Sequence, residues 1–286
     1  MGSKYNTPHD QFVIAYLAHP DKADTIISHA LPLAQMLRKG LILLYVEDPR
    51  YGGLSTSEAE PLLSAHAKRL REQHADTNFC ALRGDTKEII TALPMMLYGV
   101  VVVAEADTHA PRRTPTHPKQ VLRNFAESKI AYLTVQQPRL PEQHFANVAL
   151  TIDYRRESKE KLIWASYFAR FNNSQLHILS QTYRDEGLHN MWRDNIRFME
   201  KIFSSLGITS FSRHQYTSKG PFAEPHAAEY AAEQGYELLI STTTDIRDRD
   251  NLELIIGTAE QRVVRNPGRL PILFLNPRDD LFVLCD

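Results

Sequence analysis

The residues that could do chemistry in this 286-residue chain are few, and most familiar constellations are missing. Its twelve histidines include no His-Glu-x-x-His pair and no other convincing metal-ligand spacing. His19, His29, His177 and His214 therefore read as surface or strand-edge residues, and no metal site is expected. The two cysteines, Cys80 and Cys285, form no Cys-x-x-Cys, which argues against a zinc ribbon or a disulfide scaffold. No Gly-x-Ser-x-Gly elbow, Gly-x-x-x-x-Gly-Lys-(Ser/Thr) loop or Gly-x-Gly-x-x-Gly fingerprint occurs. Two features remain. Asp153 follows the apolar run Val148-Ala149-Leu150-Thr151-Ile152, so its carboxylate stands at the carboxyl end of a strand, where open α/β sheets bind ligands. Gly257-Thr258 precedes Ala259, Val263 and Val264, and so opens a helix whose N-terminus favours an anion. Each has a plainer reading. Asp153 can cap the turn or helix that follows, and Thr258 with Gln261 makes a capping box that needs no ligand. Ser158 reads as a helix-start residue.

The elements that would position these residues come in two copies. Phe12-Val13-Ile14-Ala15-Tyr16-Leu17 is an apolar strand, and Ile26, Ile27, Ala30, Leu33, Ala34 and Leu37 then recur at helical spacing. Gly40 reads as the helix stop, and Leu41 to Val46 is the next strand. The same paragraph returns at a constant offset of 135 positions, pairing Val13 with Val148, Ala30 with Ala165 and Leu41 with Leu176. Further on, Val100 to Val103 matches Glu237 to Ile240, and Ile130 to Val135 matches Leu270 to Leu275. Helical patterns lie near 59–74, 86–97, 188–206 and 222–234. Alternating helices and near-continuous apolar strands predict two tandem, open, parallel five-stranded sheets with helices on both faces. The expected domains are 1–138 and 145–286, joined by a Pro- and Gln-rich linker over 136–144.

Composition narrows the class. With 33 basic and 34 acidic residues there is no broad basic field, so nucleic acid is not an expected partner. The longest apolar stretch, Leu93 to Ala104, is interrupted by Pro94 and Gly99 and falls short of the roughly 20 residues needed to span a bilayer. The first residues lack the apolar core of a signal peptide. The expectation is a cytoplasmic protein with no membrane partner. The tail from Asn276 to Asp286 ends in a short apolar run containing Cys285 and reads as a docking arm or an ordinary packed terminus.

Asp153, Ser158 and Leu162-Ile163-Trp164-Ala165, together with Gly257-Thr258 through Leu270-Pro271-Ile272-Leu273, resemble the first strand-loop-helix and the last loop-helix-strand of universal stress proteins. That resemblance implies a doubly wound, adenine nucleotide alpha hydrolase-like fold. Members of one subgroup bind ATP through Gly-x2-Gly-x9-Gly-(Ser/Thr), with an Asp beside the adenine and ribose. Carried over, the motif places a cofactor site for ATP or another adenine nucleotide on Asp153, Thr244, Arg247, Gly257 and Thr258. The chain departs from the motif, because Thr244 and Arg247 stand where the first two glycines would be. The first half departs further, with Ala18 at the position of Asp153 and His117-Pro118 at that of Gly257-Thr258. The resemblance therefore implies a degenerate first copy that supports the second. It also implies pairing of the two halves within the chain, with homodimer formation or an outside protein partner as further levels of assembly. The function expected is a non-catalytic stress-response protein acting through assembly or protein interaction. A nucleotide sensor with a weakened second-half site, and a slow ATPase, are the alternatives.

Overall fold

The computed structural model describes residues 11–140, 143–155, 158–181, 183–216, 224–243 and 256–277, with residues 256–258 described as backbone. The chain divides into two compact units, Met1–Leu140 and Pro141–Asp286.

The first unit runs β1 (Phe12–Tyr16), α1 (Asp24–Leu37), β2 (Gly40–Glu47), α2 (Thr56–Arg71), β3 (Thr77–Arg83), α3 (Thr86–Met96), β4 (Gly99–Glu105), α4 (Pro118–Phe125) and β5 (Ala131–Val135). Its strands pair in the order β3-β2-β1-β4-β5, all parallel. From Gly40 to Val46 every residue of β2 is buried, whichever face it points to, so helices must cover both faces of the sheet. Helix α1 lays Ile26, Ile27, Ala30, Leu33 and Ala34 into that core. Its stop differs from the sequence expectation. Arg38 takes the left-handed position at the helix end, at φ 54°, while Gly40 already belongs to β2. Glycine is required there for a different reason: a Cβ at Gly40 would collide with the Phe12 ring of the neighbouring strand.

The second unit repeats the plan. It runs β6 (Asn147–Thr151), α5 (Ser158–Asn172), β7 (Gln175–Gln181), α6 (Glu186–Ser205), β8 (Phe211–Tyr216), α7 (Glu224–Glu233), β9 (Leu238–Thr242), α8 (Ile256–Val264) and β10 (Ile272–Leu275). The strand order is β8-β7-β6-β9-β10, again parallel. In both units the first strand is central, and the chain winds outward on one side before crossing to the other. The crossover leaves a crevice at the carboxyl ends of β1 and β4 in one unit and of β6 and β9 in the other, the place where such sheets accept ligands.

Candidate functional site

At the carboxyl end of β6 the chain leaves the sheet through Ile152 and Asp153, and Asp153 is 4% exposed. Its carboxylate is engaged on both oxygens. Oδ1 accepts from the Ser158 hydroxyl at 2.5 Å and from the Arg155 backbone N–H at 3.0 Å; Oδ2 accepts from Arg155 Nε at 2.7 Å. The Arg155 guanidinium also forms an ion pair with Glu224, the first residue of α7. Asn195 of α6 holds the turn from behind, its Nδ2 donating to the carbonyls of Asp153 and Arg155 at 2.8 Å each. Ser158, read from sequence as a helix start, does begin α5 and binds Asp153 as well. Asp153 is thus the hub of a lock that ties the β6–α5 turn to α6 and α7.

Beneath the turn lies Lys161 of α5, fully buried. Its ammonium donates to Thr151 Oγ1 at 2.8 Å and to Thr242 Oγ1 at 3.4 Å, joining the ends of β6 and β9. Burial pushes the Asp153 carboxyl up, but the ammonium of Lys161, followed by the charge and hydrogen bonds of Arg155 and the hydroxyl of Ser158, outweighs it and holds the group down at about 2. Arg155 loses basicity to burial and regains more from Glu224 and Asp153, so its net shift is upward. The Asp153–Arg155 pair therefore stays ionised across the physiological range.

Beside this lock is a small crevice of about 10 Å³ lined by Arg155, Glu224, Ser241, Thr242, Val263 and Phe274, among others. The Ser241 hydroxyl is fully buried and has no hydrogen-bond partner among the described residues. Thr243 Oγ1 donates to Asn276 Oδ1 at 2.7 Å. Gly257 and Thr258 are the second and third residues of α8. Thr244, Arg247 and Cys285 lie outside the described residues. Of the sequence-derived site, Asp153 thus sits at the crevice where β6 and β9 part. Arg155, Glu224, Asn195 and Lys161 surround it and were not singled out from sequence. Only Arg155 carried a signal, the Asp-x-Arg spacing.

That spacing recurs in the first unit on a different strand. Asp48, 2% exposed, follows β2; it accepts from the Arg50 backbone N–H at 3.0 Å and from the Arg50 guanidinium at 2.6 Å. Thr86, opening α3, gives it both its N–H and its hydroxyl at 2.8 Å. Burial favours protonation of Asp48, yet Arg50 and Thr86 together hold its carboxyl well below the usual carboxylate range. His117-Pro118, at the position of Gly257-Thr258, caps and opens α4: His117 Nδ1 accepts from the Lys119 N–H at 3.1 Å. His29 departs from the surface reading. It is 2% exposed on α1, with Nε2 against the Gln137 carbonyl at 3.0 Å. Burial lowers its pKa to about 4. Among the described residues, no helix is long and apolar enough to cross a membrane, and no three His, Cys, Asp or Glu side chains gather as a metal cluster.

Comparison with known proteins adds the fold. No protein-family model matches the sequence, and no curated protein matches it. Solved structures do. A universal stress protein from Archaeoglobus fulgidus DSM 4304 superposes with a TM-score of 0.70 at 15% identity, covering 95% of this chain and 98% of its own. A functionally unknown protein from Pseudomonas aeruginosa PAO1 gives 0.64 at 17% identity, over 97% of this chain and 95% of its own. The cytoplasmic domain of a prokaryotic cation chloride cotransporter gives 0.57 at 10% identity, over 96% of this chain and 99% of its own. The last of these warns that one architecture serves different roles, so function must be argued from the site. The chain resembles the universal stress proteins, and it has their fold in two consecutive copies.

Proposed function

We propose that this chain is a cytoplasmic, non-catalytic stress-response protein of the universal stress protein type, acting through assembly or protein interaction rather than ligand turnover. The observation that carries the reading is the state of Asp153. Its two carboxylate oxygens are taken by Ser158 and Arg155, and Arg155 is in turn held by Glu224. A ribose hydroxyl could reach that carboxylate only by displacing a buried ion pair, which costs about 3–5 kcal/mol when one partner is withdrawn. The adjoining crevice, about 10 Å³, holds roughly one water molecule and no nucleotide. Assembly in this proposal begins with the chain's own two halves and extends to a second copy or an outside protein.

One observation favours the second reading, a nucleotide sensor. The buried, unpartnered Ser241 hydroxyl lines the same crevice as Arg155 and Thr242, so swinging Arg155 away from Asp153 would offer a guanidinium and two hydroxyls to an adenine nucleotide's phosphates. Calorimetric titration with ATP and magnesium separates the two. No heat supports the assembly role. Saturable heat that is lost in Asp153→Ala or Gly257→Val establishes the sensor, and phosphate release over hours on top of it would mark a slow ATPase.

A further inference from the structure

On a different part of the second unit, at its β7–β8 edge, three donor atoms converge. His177 of β7 stands opposite Ser212 of β8 in the parallel register, and His214 follows on the same face two residues later. His177 Nδ1 and His214 Nε2 are 3.5 Å apart, and the Ser212 Oγ lies 3.0 Å from the first and 2.9 Å from the second. All three side chains are partly exposed, so the cluster is open to solvent.

The outer atoms of both rings are also fixed. His177 Nε2 lies 3.1 Å from Asn147 Oδ1, an acceptor only, so that nitrogen carries the proton and Nδ1 presents its lone pair inward. His177 is stacked on Tyr236, with ring centroids 4.0 Å apart, which holds its plane. His214 Nδ1 lies 3.4 Å from the Tyr230 hydroxyl, which can take its N–H and turn the Nε2 lone pair inward as well. Two imidazole lone pairs then face a single hydroxyl proton, and one of them is left without a donor.

We propose that His177, His214 and Ser212 form a surface site for a divalent transition ion of the zinc or copper class. Two nitrogens at about 2.05 Å from a tetrahedral ion lie roughly 3.3 Å apart, close to the spacing found here. Imidazole suits these ions, and hydrogen bonds from the outer ring nitrogens to Asn147 and Tyr230 are the supports that orient metal-ligating histidines. With two strong ligands and a hydroxyl, water completes the coordination and the ion remains exchangeable.

The test uses the full chain, stripped with chelator and desalted, titrated with zinc chloride and then copper sulfate by calorimetry. One saturable site per chain is expected, weakened at least about tenfold in His177→Ala and in His214→Gln, with Asn147→Ala weakened less. His214→Gln sits on an edge strand and keeps a polar side chain, which guards against misfolding; the melting curve of each metal-free variant checks this directly. His19→Ala and His189→Ala, remote in sequence, leave the affinity unchanged. With copper, paramagnetic resonance reads coupling to nitrogen, which disappears in the double variant. Absence of saturable heat from the wild type, or heat that persists in the His177→Ala/His214→Gln double variant, overturns the proposal.

Discussion

Replacing Arg155 with alanine tests whether the Asp153 hub holds the second unit together. The change withdraws the guanidinium from two carboxylates that are 4% and 6% exposed, Asp153 and Glu224. Asp153 keeps Ser158 and the nearby Lys161 ammonium, so the greater loss falls on Glu224, left as a buried charge. Removing one partner of a buried pair costs about 3–5 kcal/mol, and the remaining support of Asp153 places this case near the lower end, about 3 kcal/mol. For a domain of this size each kcal/mol moves Tm by about 2–4 °C, so the second unit should melt roughly 6–12 °C lower. The assay is favoured by the sequence. Both tryptophans, Trp164 and Trp192, lie in the second half, so their fluorescence during urea unfolding reports that unit alone. Adding Glu224→Gln to Arg155→Ala should restore part of the loss, because it removes the stranded charge. The same hub sets an acid limit. The Asp153 carboxyl moves from 3.8 to about 2 on folding, so its contribution is present above pH 4 and is lost as pH falls towards 2, about 2 kcal/mol in all. An Arg155→Ala protein whose urea midpoint, at unchanged slope, corresponds to less than about 0.5 kcal/mol of destabilisation would refute the lock.

His29 predicts a second pH dependence with a different range. Its pKa falls from 6.5 to about 4 on folding, chiefly through burial. The first unit should therefore be fully stable above pH 6.5 and lose up to about 3 kcal/mol as pH falls to 4, a slope that His29→Gln abolishes in urea titrations followed by circular dichroism. Asp48→Asn turns a carboxylate that accepts from Thr86 and Arg50 into an amide with donors facing donors. It should destabilise the first unit by about 2–4 kcal/mol, visible as an earlier thermal transition, with the tryptophan-reported unfolding of the second unit unchanged.

The sequence made the central strands readable because they are buried on both faces. β1, β2, β4, β6 and β9 are apolar runs, and the return of β1 and β2 as β6 and β7 at one offset revealed the duplication. The outer strands were harder to place. β8 reads Phe-Ser-Arg-His-Gln-Tyr, with Arg213 and Gln215 exposed, and β3 carries Asn78 and Arg83 outward, so neither presents an apolar run. Short α4 buries little beyond Pro118, Val121, Asn124 and Phe125, too brief a stripe to announce a helix. Gly40 shows that a residue type can be recognised as special for the wrong reason: it answers the approach of Phe12, while Arg38 bears the left-handed turn. At the site, Asp153 and Ser158 were visible because local order alone places them together. Glu224 and Asn195 reach the same turn from 69 and 40 residues beyond Arg155. No local pattern marks such partners, since the crossover topology brings them there. The histidine triangle escaped notice for a similar reason. His177 and Ser212 are 35 residues apart, and only strand register makes them neighbours.

The central claim is that Asp153 is committed within the chain and is not offered to a nucleotide. The most direct measurement is equilibrium binding of a fluorescent ATP analogue, with magnesium, to the wild-type chain and to Arg155→Ala, read as anisotropy up to millimolar protein. The account predicts a flat response from the wild type, with any binding emerging only once the guanidinium is removed. A saturable wild-type response that ordinary ATP competes away and Asp153→Ala abolishes would contradict it.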